Sequence, residues 1–418
     1  NAVDNWIDTS AAHLVGQEVV TLSTAPAFVD GALAPRPMSL RVFLARTADG
    51  WRVMPGGFAR IGRSGDTPEL AMQRGGSVAD VWVVRKSAVD RETTLAPSAA
   101  PFVRNQPGVL PSRAADNLYW FCRYLQRAEN TARIVSVHQF LLLDLPRHVE
   151  FGWSPLVEIL GASASFHARY PDSSEANVVR FLLIDREHSG SILSSLHAAR
   201  EILRTIRENM PRDLWERFND LYYELLERGE RQLPRGKRQD LLAKVTDDAL
   251  LMYGMLASNM NRDVGFQFLR LGTNLEQADM TTRIIDVRSS NLIKPITPEL
   301  APFQSIQWMG VLRSLAAYQM FRRQMRTRVN GTNVLRFLLQ SRDFPRSVMF
   351  CLQMLRATQP YLPYNRAVER QVERLRALVM DANIEQLLQA GLHDLMDEIQ
   401  LGLADLHVAL TEAYFHRG

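Results

Sequence analysis

The spacing of apolar positions changes character between residues 86 and 112. Before residue 86, apolar residues form short β-branched runs of the kind that make strands. From Ser112 to the end they recur every three or four positions, which is the period of an amphipathic α-helix. The pattern therefore predicts a mainly α chain, in which a helical domain follows a small β-rich (α+β) segment.

The β-rich segment contains one predicted hairpin. Met38 to Arg46 is strand-like, and the apolar pattern returns at Trp51 to Met54, with Asp49-Gly50 in the turn between them. Val19 to Leu22 and Val78 to Arg85 are further strand candidates. So few elements make a thin core, and we expect this segment to complete a sheet begun upstream in a longer protein.

A stretch rich in Ala, Ser and Pro separates the strands from the helices and predicts an interdomain linker. Ser112 follows it as a helix N-cap, and the helical pattern then continues to Leu145, before Pro146. The sequence predicts four segments: 1–86 (β-rich), 87–111 (linker), 112–262 (first helical repeat) and 263–418 (second helical repeat).

The helical part contains an internal duplication. Three segments recur in the same order, 150, 155 and 156 positions later. Such agreement in order and offset predicts a tandem pair of helical bundles related by a pseudo-twofold axis. The matched segments are Leu125–Ile134 with Leu275–Ile284, Trp153–Leu160 with Trp308–Leu315, and Phe181–Ser191 with Phe337–Ser347.

Each copy places an acid on the apolar stripe of a long helix. Glu129 in the first copy and Asp279 in the second occupy equivalent positions, and Arg133 and Arg283 follow one turn later. A carboxylate in a core is costly unless it is paired. Two interpretations are open: a structural acid–arginine network that fixes how the copies dock, or a polar cavity that binds a charged small molecule. A metal site is disfavoured, because no histidine repeats beside the acids.

A second stripe on the first long helix has no clear counterpart in the second copy. It contains Tyr119, Arg123, Arg127 and Asn130. We interpret it as a solvated or interface face, with an arginine fork for phosphate or carboxylate as the alternative.

Two positions in the third matched segment have simpler interpretations. His188 aligns with Phe344 of the second copy, which favours a packing role over a chemical one. Arg346-Ser347 follows Pro345, so it can cap a helix start or hold an anion there, and capping is favoured.

Composition excludes several classes of function. The net charge is +4, and only four of 49 basic residues are lysine. The sequence contains no compact basic run interleaved with aromatic residues, so nucleic-acid binding is not expected. Two distant cysteines, Cys122 and Cys351, argue against a disulfide framework and favour a cytoplasmic location. No apolar run approaches the roughly 20 residues that span a bilayer.

A short glycine-rich loop lies beside a predicted strand in the β-rich segment. It comprises Gln73, Arg74, Gly75 and Gly76, with Asp80 on the strand that follows. Arg41 and Arg60 could point toward the same place. Such loops are usually simple turns, so the motif is weak by itself.

The first long helix also carries a family resemblance. The run from Leu110 to Arg133, which includes Tyr-Leu-Gln-Arg-Ala-Glu-Asn-Thr-Ala-Arg, resembles the opening signature of the bacterial alpha-E domain. Phe337-Leu-Leu and Pro345-Arg-Ser-Val348 resemble that domain's later motif, so the resemblance extends over residues 112–418.

The β-rich segment resembles a second family. Leu40–Phe43, Val53–Gly57, Ala71–Ser77 and Asp80–Val83 are similar to the tail of the circularly permuted ATP-grasp family, type 2, behind which the alpha-E domain is often fused.

This pair of resemblances implies that the full-length protein is an ATP-dependent carboxylate–amine ligase. Such an enzyme uses ATP and Mg²⁺ to activate a carboxylate as an acyl phosphate, which an amine attacks. The implied partners are an upstream ATP-grasp segment, a small-molecule or peptide substrate, and transglutaminase-like or proteasome-like proteins. Self-association remains open, and no membrane partner is expected.

Two departures limit that implication. Most of an ATP-grasp domain is absent, and Val78 and Ala79 stand where the family's loop has a lysine before its aspartate. We therefore expect no tight nucleotide binding and no ATP hydrolysis by these 418 residues alone; Mg²⁺-dependent turnover by this chain would contradict that. The alternative function is a non-catalytic helical scaffold or protein-interaction domain.

The resemblances and the residues together suggest two sets of site residues, with catalytic residues unknown. The cofactor-binding candidates are Arg41, Arg60, Gln73, Arg74, Gly75, Gly76 and Asp80. The substrate-binding candidates are Tyr119, Arg123, Arg127, Glu129, Asn130, Arg133, Asp279 and Arg283.

Overall fold

The chain forms two compact units, residues 1–104 and 105–418, and each is considered by itself. The computed structural model describes residues 22–29, 31–47, 50–62, 77–84, 110–144, 152–290 and 301–415. The predicted linker lies almost entirely outside the described residues, and the predicted segment boundaries stay predictions.

The first unit contains antiparallel strands in two sheets. Four strands form one sheet in the order β1-β2-β5-β6, and β3 pairs with β4 in a separate hairpin. The strands are β1 (Thr24–Val29), β2 (Ala32–Arg41), β3 (Leu44–Thr47), β4 (Gly50–Val53), β5 (Gly57–Ile61) and β6 (Ser77–Val81).

The predicted hairpin is confirmed, because Thr47 pairs with Gly50 across the turn between β3 and β4. Its predicted turn at Asp49-Gly50 was wrong by one residue, since Gly50 is already the first residue of β4. The predicted strand from Met38 to Arg46 is divided between β2 and β3. Strands β1 and β5 were not predicted. Prolines made β1 and the start of β2 hard to predict, because proline lowers strand propensity and Pro26 and Pro35 pair with each other in that ladder.

The sheets leave much apolar surface uncovered. Phe28 is 76% exposed, Leu33 71% and Val84 91%, whereas Ala59 is buried. Large exposed apolar patches on a protein mark surfaces that contact another segment or partner. The strands therefore lack a complete core within the described residues, and the expectation that they complete a larger sheet stays a prediction.

The second unit is helical, with fifteen α-helices in its described residues. In the first copy they are α1 (Ser112–Asp144), α2 (Ser154–Ile159), α3 (Ser163–His167), α4 (Glu175–Leu183), α5 (Ile192–Thr205), α6 (Arg212–Gln232) and α7 (Arg235–Asn259). In the second copy they are α8 (Val264–Ser290), α9 (Ala301–Ser314), α10 (Tyr318–Met325), α11 (Gly331–Gln340), α12 (Val348–Arg356), α13 (Arg366–Met380), α14 (Ile384–Gln389) and α15 (Leu392–Leu410).

The two copies repeat the same succession of elements. A long helix is followed by two shorter helices, a helix pair, a short 3₁₀ turn and a final pair of long helices, of which the last is interrupted in the second copy. The 3₁₀ turns Arg207–Asn209 and Gln359–Tyr361 occupy matching places. The predicted duplication and mainly α class are therefore confirmed. Helix α1 includes Ser112 as its first residue, so the predicted N-cap position was one residue late, and the carbonyl of Pro111 accepts the first helical hydrogen bond, from Ala115.

The copies share one continuous hydrophobic core. Helices α1 and α8, the first of each copy, pack directly on each other, and the buried residues of both copies form a single cluster. The close approach depends on Gly272, because a Cβ there would lie 2.1 Å from the backbone oxygen of Tyr119. This crossing brings the polar positions of the two long helices face to face.

Candidate functional site

An ion-pair cluster joins the two long helices near their crossing. Glu276 of α8 accepts hydrogen bonds from Nε of Arg123 and from Nε of Arg127, each at 2.7 Å. Burial opposes ionisation of Glu276, but the two guanidinium groups prevail and hold its pKa at about 2. One copy thus supplies the arginines and the other the acid.

The duplication produces a neutral counterpart of this contact. Gln126 and Arg127 in α1 align with Glu276 and Gln277 in α8. If each residue is replaced by its equivalent in the other copy, the Arg127–Glu276 pair becomes a Gln277–Gln126 pair. The structure contains that pair, since Nε2 of Gln126 donates to Oε1 of Gln277 at 2.7 Å. This reciprocity is the local signature of a pseudo-twofold relation between α1 and α8.

Glu129 lies at the centre of a hydrogen-bonded network that seals its carboxylate from solvent. Its side chain is fully buried and accepts hydrogen bonds from Nε of Arg133 at 2.8 Å and from both terminal nitrogens of Arg346 at 3.1 Å. Gln126 donates to it as well, at 3.0 Å. Despite the burial, Arg346 and Arg133 lower the pKa of Glu129, so the group is a charged, fully satisfied carboxylate.

Asp279, the equivalent acid in the second copy, has a different environment. Arg283 donates from Nε to its Oδ2 at 2.8 Å, and 20% of the aspartate side chain is exposed. Its Oδ1 accepts no hydrogen bond from the described residues. Burial raises the pKa of Asp279, since its single arginine, 33% exposed, compensates less than the two arginines beside Glu129, which are 16% and 13% exposed. The predicted acid–arginine pairs are thus both present, but one is sealed and the other open.

The open acid lines a polar cavity of about 270 Å³ between the copies. Its charged lining comprises Asp279, Glu276, Arg283 and Arg127, and the loop before α5 contributes His188 and Gly190. The volume exceeds what a single water needs. The cavity combines two carboxylates and two guanidinium groups, and it can therefore contact a charged ligand.

A larger and more apolar groove of about 560 Å³ adjoins that cavity. Arg127 and Ser189 line both spaces. The aromatic side chains of the groove are Trp120, Tyr124 and Tyr222. Aromatic surfaces beside a few charged groups are typical of sites that bind small molecules or peptides.

His188 combines packing with an open polar atom. Its ring stacks on Phe181 with 4.0 Å between centroids, just as Phe344 packs on Phe337 in the second copy. The packing interpretation is therefore confirmed. However, its buried Nε2 has no hydrogen-bond partner in the part of the chain that the structure describes. Burial lowers the pKa of His188 to about 4, so the ring is neutral near pH 7.

The second predicted stripe is buried at the interface between the copies. Tyr119 and Asn130 are fully buried and Arg123 nearly so, so of the two predicted alternatives the interface face is confirmed and the solvated face is wrong. The hydroxyl of Tyr119 contacts Nδ1 of His407 at 2.8 Å. The arginine fork exists, but the carboxylate it binds is the internal Glu276.

Capping by Ser347 is also confirmed, since its hydroxyl accepts from the backbone N–H of Phe350 at the start of α12. Arg346 beside it holds an anion too, the carboxylate of Glu129. Sequence reasoning missed Glu276 and Gly190. The alignment of the copies already placed Gly190 opposite Arg346, and that difference was the available signal.

Three of the candidate cofactor residues share one face of the four-stranded sheet. Arg41 and Asp80 both pair with Phe58 in the ladder, and Arg60 lies two residues farther along β5. The guanidinium groups of Arg41 and Arg60 lie 5.6 and 6.0 Å from the ring centroid of Phe58. The remaining candidates, Gln73, Arg74, Gly75 and Gly76, lie outside the described residues.

A separate cluster on the helical surface has metal-like spacing. Nδ1 of His393 lies 2.8 Å from Asp286, and its Nε2 lies 3.6 Å from Asp397. Exposed groupings of this kind are common without an ion, so we assign no metal to it. Among the described helices, none combines the length and the apolar character that a membrane crossing requires.

Comparison with protein families matches both units. The alpha-E model, described as a predicted alpha-helical domain with a conserved ER motif, matches residues 110–415. The model of the circularly permuted ATP-grasp, type 2, matches residues 1–62.

Several relatives are uncharacterized mycobacterial proteins. One from Mycobacterium bovis is 22% identical over 422 aligned residues, which cover 95% of this chain and 47% of the relative, and one from Mycobacterium tuberculosis matches equally. A second protein of M. tuberculosis is 32% identical over 117 residues, 28% of this chain and 20% of its own length. The chain therefore spans about half the length of the first relatives. No solved structure matches it significantly.

Proposed function

The chain belongs to the Alpha-E family, and from this premise we propose that its helical unit binds the substrate of an ATP-dependent carboxylate–amine ligase. The ATP-grasp match at residues 1–62 supports a ligase-like region in the first unit. In this proposal the two units are the C-terminal part of the ligase, and an upstream ATP-grasp segment completes it.

The observation that carries the proposal is the open cavity at Asp279. The sealed network at Glu129 shows that this duplicated scaffold can neutralise a buried acid completely. At the equivalent position Asp279 keeps one oxygen open toward a cavity beside an aromatic groove. A purely structural pair has no need of an adjoining cavity, whereas a binding site does.

The residues of the four-stranded sheet support an additional role of the first unit in nucleotide binding. Guanidinium groups bind phosphate oxygens, and one or two carboxylates usually suffice for Mg²⁺ held together with phosphates. Arg41 and Arg60 would therefore contact phosphate, and Asp80 would reach the metal. Bound ATP would supply the phosphoryl group that activates the carboxylate substrate. The exposed apolar side chains of these strands are the surface that the upstream segment would cover.

The test uses the full-length protein, with its upstream segment present. We expect Mg²⁺-dependent release of ADP that requires both a carboxylate and an amine substrate. Asp279→Asn should raise the KM of one organic substrate by about tenfold or more, with the KM of ATP unchanged. ATP turnover that is indifferent to both organic substrates would contradict the ligase proposal.

The second candidate function is a non-catalytic scaffold, which the sealed Glu129 network favours. Here the discriminating variant replaces Glu129, Arg133 and Arg346 together by Leu, Met and Met. Buried ion networks replaced by apolar groups are often neutral or more stable. A variant that is equally or more stable and binds ligand unchanged would assign the Glu129 network a structural role, as the scaffold requires, and loss of ligand binding in a folded variant would assign it a functional one.

A further inference from the structure

Arg346 and Gly190 are equivalent residues in the two copies. The match of Phe181–Ser191 with Phe337–Ser347 pairs them, and each directly precedes a serine that caps a helix, α5 or α12. In the second copy the arginine side chain reaches across to the acid of the first copy. In the first copy the equivalent residue has no side chain to extend.

This difference explains why the Asp279 cavity exists. Arg346 donates both terminal nitrogens to Glu129, at 3.1 Å each. By the same relation, the equivalent of Arg346 in the first copy would lie beside Asp279. That equivalent is Gly190, which lines the cavity there. The cavity therefore adjoins the position whose equivalent in the second copy carries an arginine side chain, and its acid has one arginine fewer than Glu129. The His188 ring, which a Cβ at residue 190 would meet at 2.9 Å, occupies the start of the path that such a side chain would take.

The groups around this space are suited to a cation with several N–H donors. Oδ1 of Asp279 accepts no hydrogen bond from the described residues, and the buried Nε2 of His188 has no partner there either. His188 is only 8% exposed, and a neutral imidazole nitrogen can accept a hydrogen bond. Arg127 already donates two of its nitrogens to Glu276, a carboxylate that it shares with Arg123, so its fork is engaged by an acid of the protein itself.

We propose that the Asp279 cavity binds a guanidinium group of the ligand, as found in an arginine side chain, in the place that Arg346 fills at the equivalent site. This assignment rests on the proposed substrate-binding role of the helical unit and names the chemistry of one substrate. Asp279 accepts the guanidinium N–H groups, and the planar fork matches a carboxylate better than an ammonium does. The remainder of the ligand lies in the adjoining groove beside Tyr124 and Trp120.

The test measures direct binding to the 418-residue chain by calorimetry, so it is independent of ligase activity. The probes are arginine amide, the neutral isostere citrulline amide, and lysine amide. We expect arginine amide to bind at least about tenfold more tightly than either of the others, because only it combines charge with a bidentate fork. Equal affinities for arginine amide and citrulline amide, or for arginine amide and lysine amide, would overturn the proposal.

Two variants locate the binding. Asp279→Asn should weaken binding of arginine amide by about tenfold or more. The double variant His188→Phe, Gly190→Arg reproduces Phe344 and Arg346 of the second copy, fills the cavity from within and should abolish binding. Glu216→Gln, which removes an exposed acid on α6, is the matched control and should bind normally.

Unchanged affinity in folded Asp279→Asn protein would refute the assigned cavity. If arginine amide binds as expected while the full-length protein shows no ligase activity, the cation site stands and the ligase proposal fails. If ligase activity is present and arginine amide does not bind, the assignment of a guanidinium substrate is wrong.

Discussion

Gly272 of α8 lies directly against the backbone carbonyl of Tyr119 in α1. A Cβ at residue 272 would lie 2.1 Å from that oxygen, far inside van der Waals contact. The pair fixes how closely the first helices of the two copies approach. The ion pairs of Arg123 and Arg127 with Glu276 join the same two helices.

Gly272→Ala should therefore destabilise the helical unit. Both long helices would have to separate, and overpacking of this kind costs about 1–3 kcal/mol, with a backbone contact at the upper end. Gly254 in α7 is the matched control, because a Cβ there meets nothing within 4 Å. Its replacement by alanine should stabilise the helix by about 0.5–1 kcal/mol. Urea denaturation of both variants gives the comparison, and equal effects would contradict the close crossing.

The equivalent acids should respond differently to neutralisation. Glu129→Gln leaves the largely buried Arg133 and Arg346 without their counter-charge, and removal of one partner from a buried pair costs about 3–5 kcal/mol. Asp279→Asn affects a partly exposed pair and should change the free energy of unfolding by less than about 1 kcal/mol. Chemical denaturation at neutral pH measures both free energies of unfolding. Similar losses in the two variants would contradict the assignment of a sealed site at Glu129 and an open site at Asp279.

Glu276 should contribute strongly to the loss of stability at acid pH. Its pKa is about 2 in the folded protein against 4.5 ordinarily, so its contribution is full above pH 4.5 and is lost as the pH falls toward 2. That shift corresponds to about 3 kcal/mol at neutral pH. Glu276→Gln should lose this stability at pH 7 and show a flatter pH dependence between pH 5 and 2. An acid limb as steep as in the wild type would contradict the assigned role of Glu276.

His188→Phe should stabilise the protein, most clearly in weak acid. The variant keeps the stacking on Phe181 and removes a buried nitrogen without a partner. Because the pKa of His188 is depressed to about 4, the unfolded state binds a proton first as the pH falls from 6.5, and the wild type loses stability down to pH 4. Thermal unfolding at pH 7.5 and pH 5 should show a larger gain at pH 5. An equal or smaller gain there would contradict the depressed pKa.

The sequence predicted features that depend on local spacing. The i,i+4 pairs Glu129–Arg133 and Asp279–Arg283 follow from helical periodicity, and the structure contains both. The cap at Ser347 also depends on neighbours in the chain. Contacts between distant residues were not predicted. Arg346 lies 217 residues from Glu129, and periodicity reports only which face of a helix is apolar, not what the facing helix carries.

The sequence by itself therefore determined the duplication, the mainly α class, the β3–β4 hairpin and the acid placed on each apolar stripe. Tertiary structure alone decided that Glu129 is sealed and Asp279 open. The physical reason is that helices from both copies meet at one crossing, where each acid depends on a residue of the other copy. An arginine at 346 closes the first site, and the absence of a side chain at Gly190 leaves the second open.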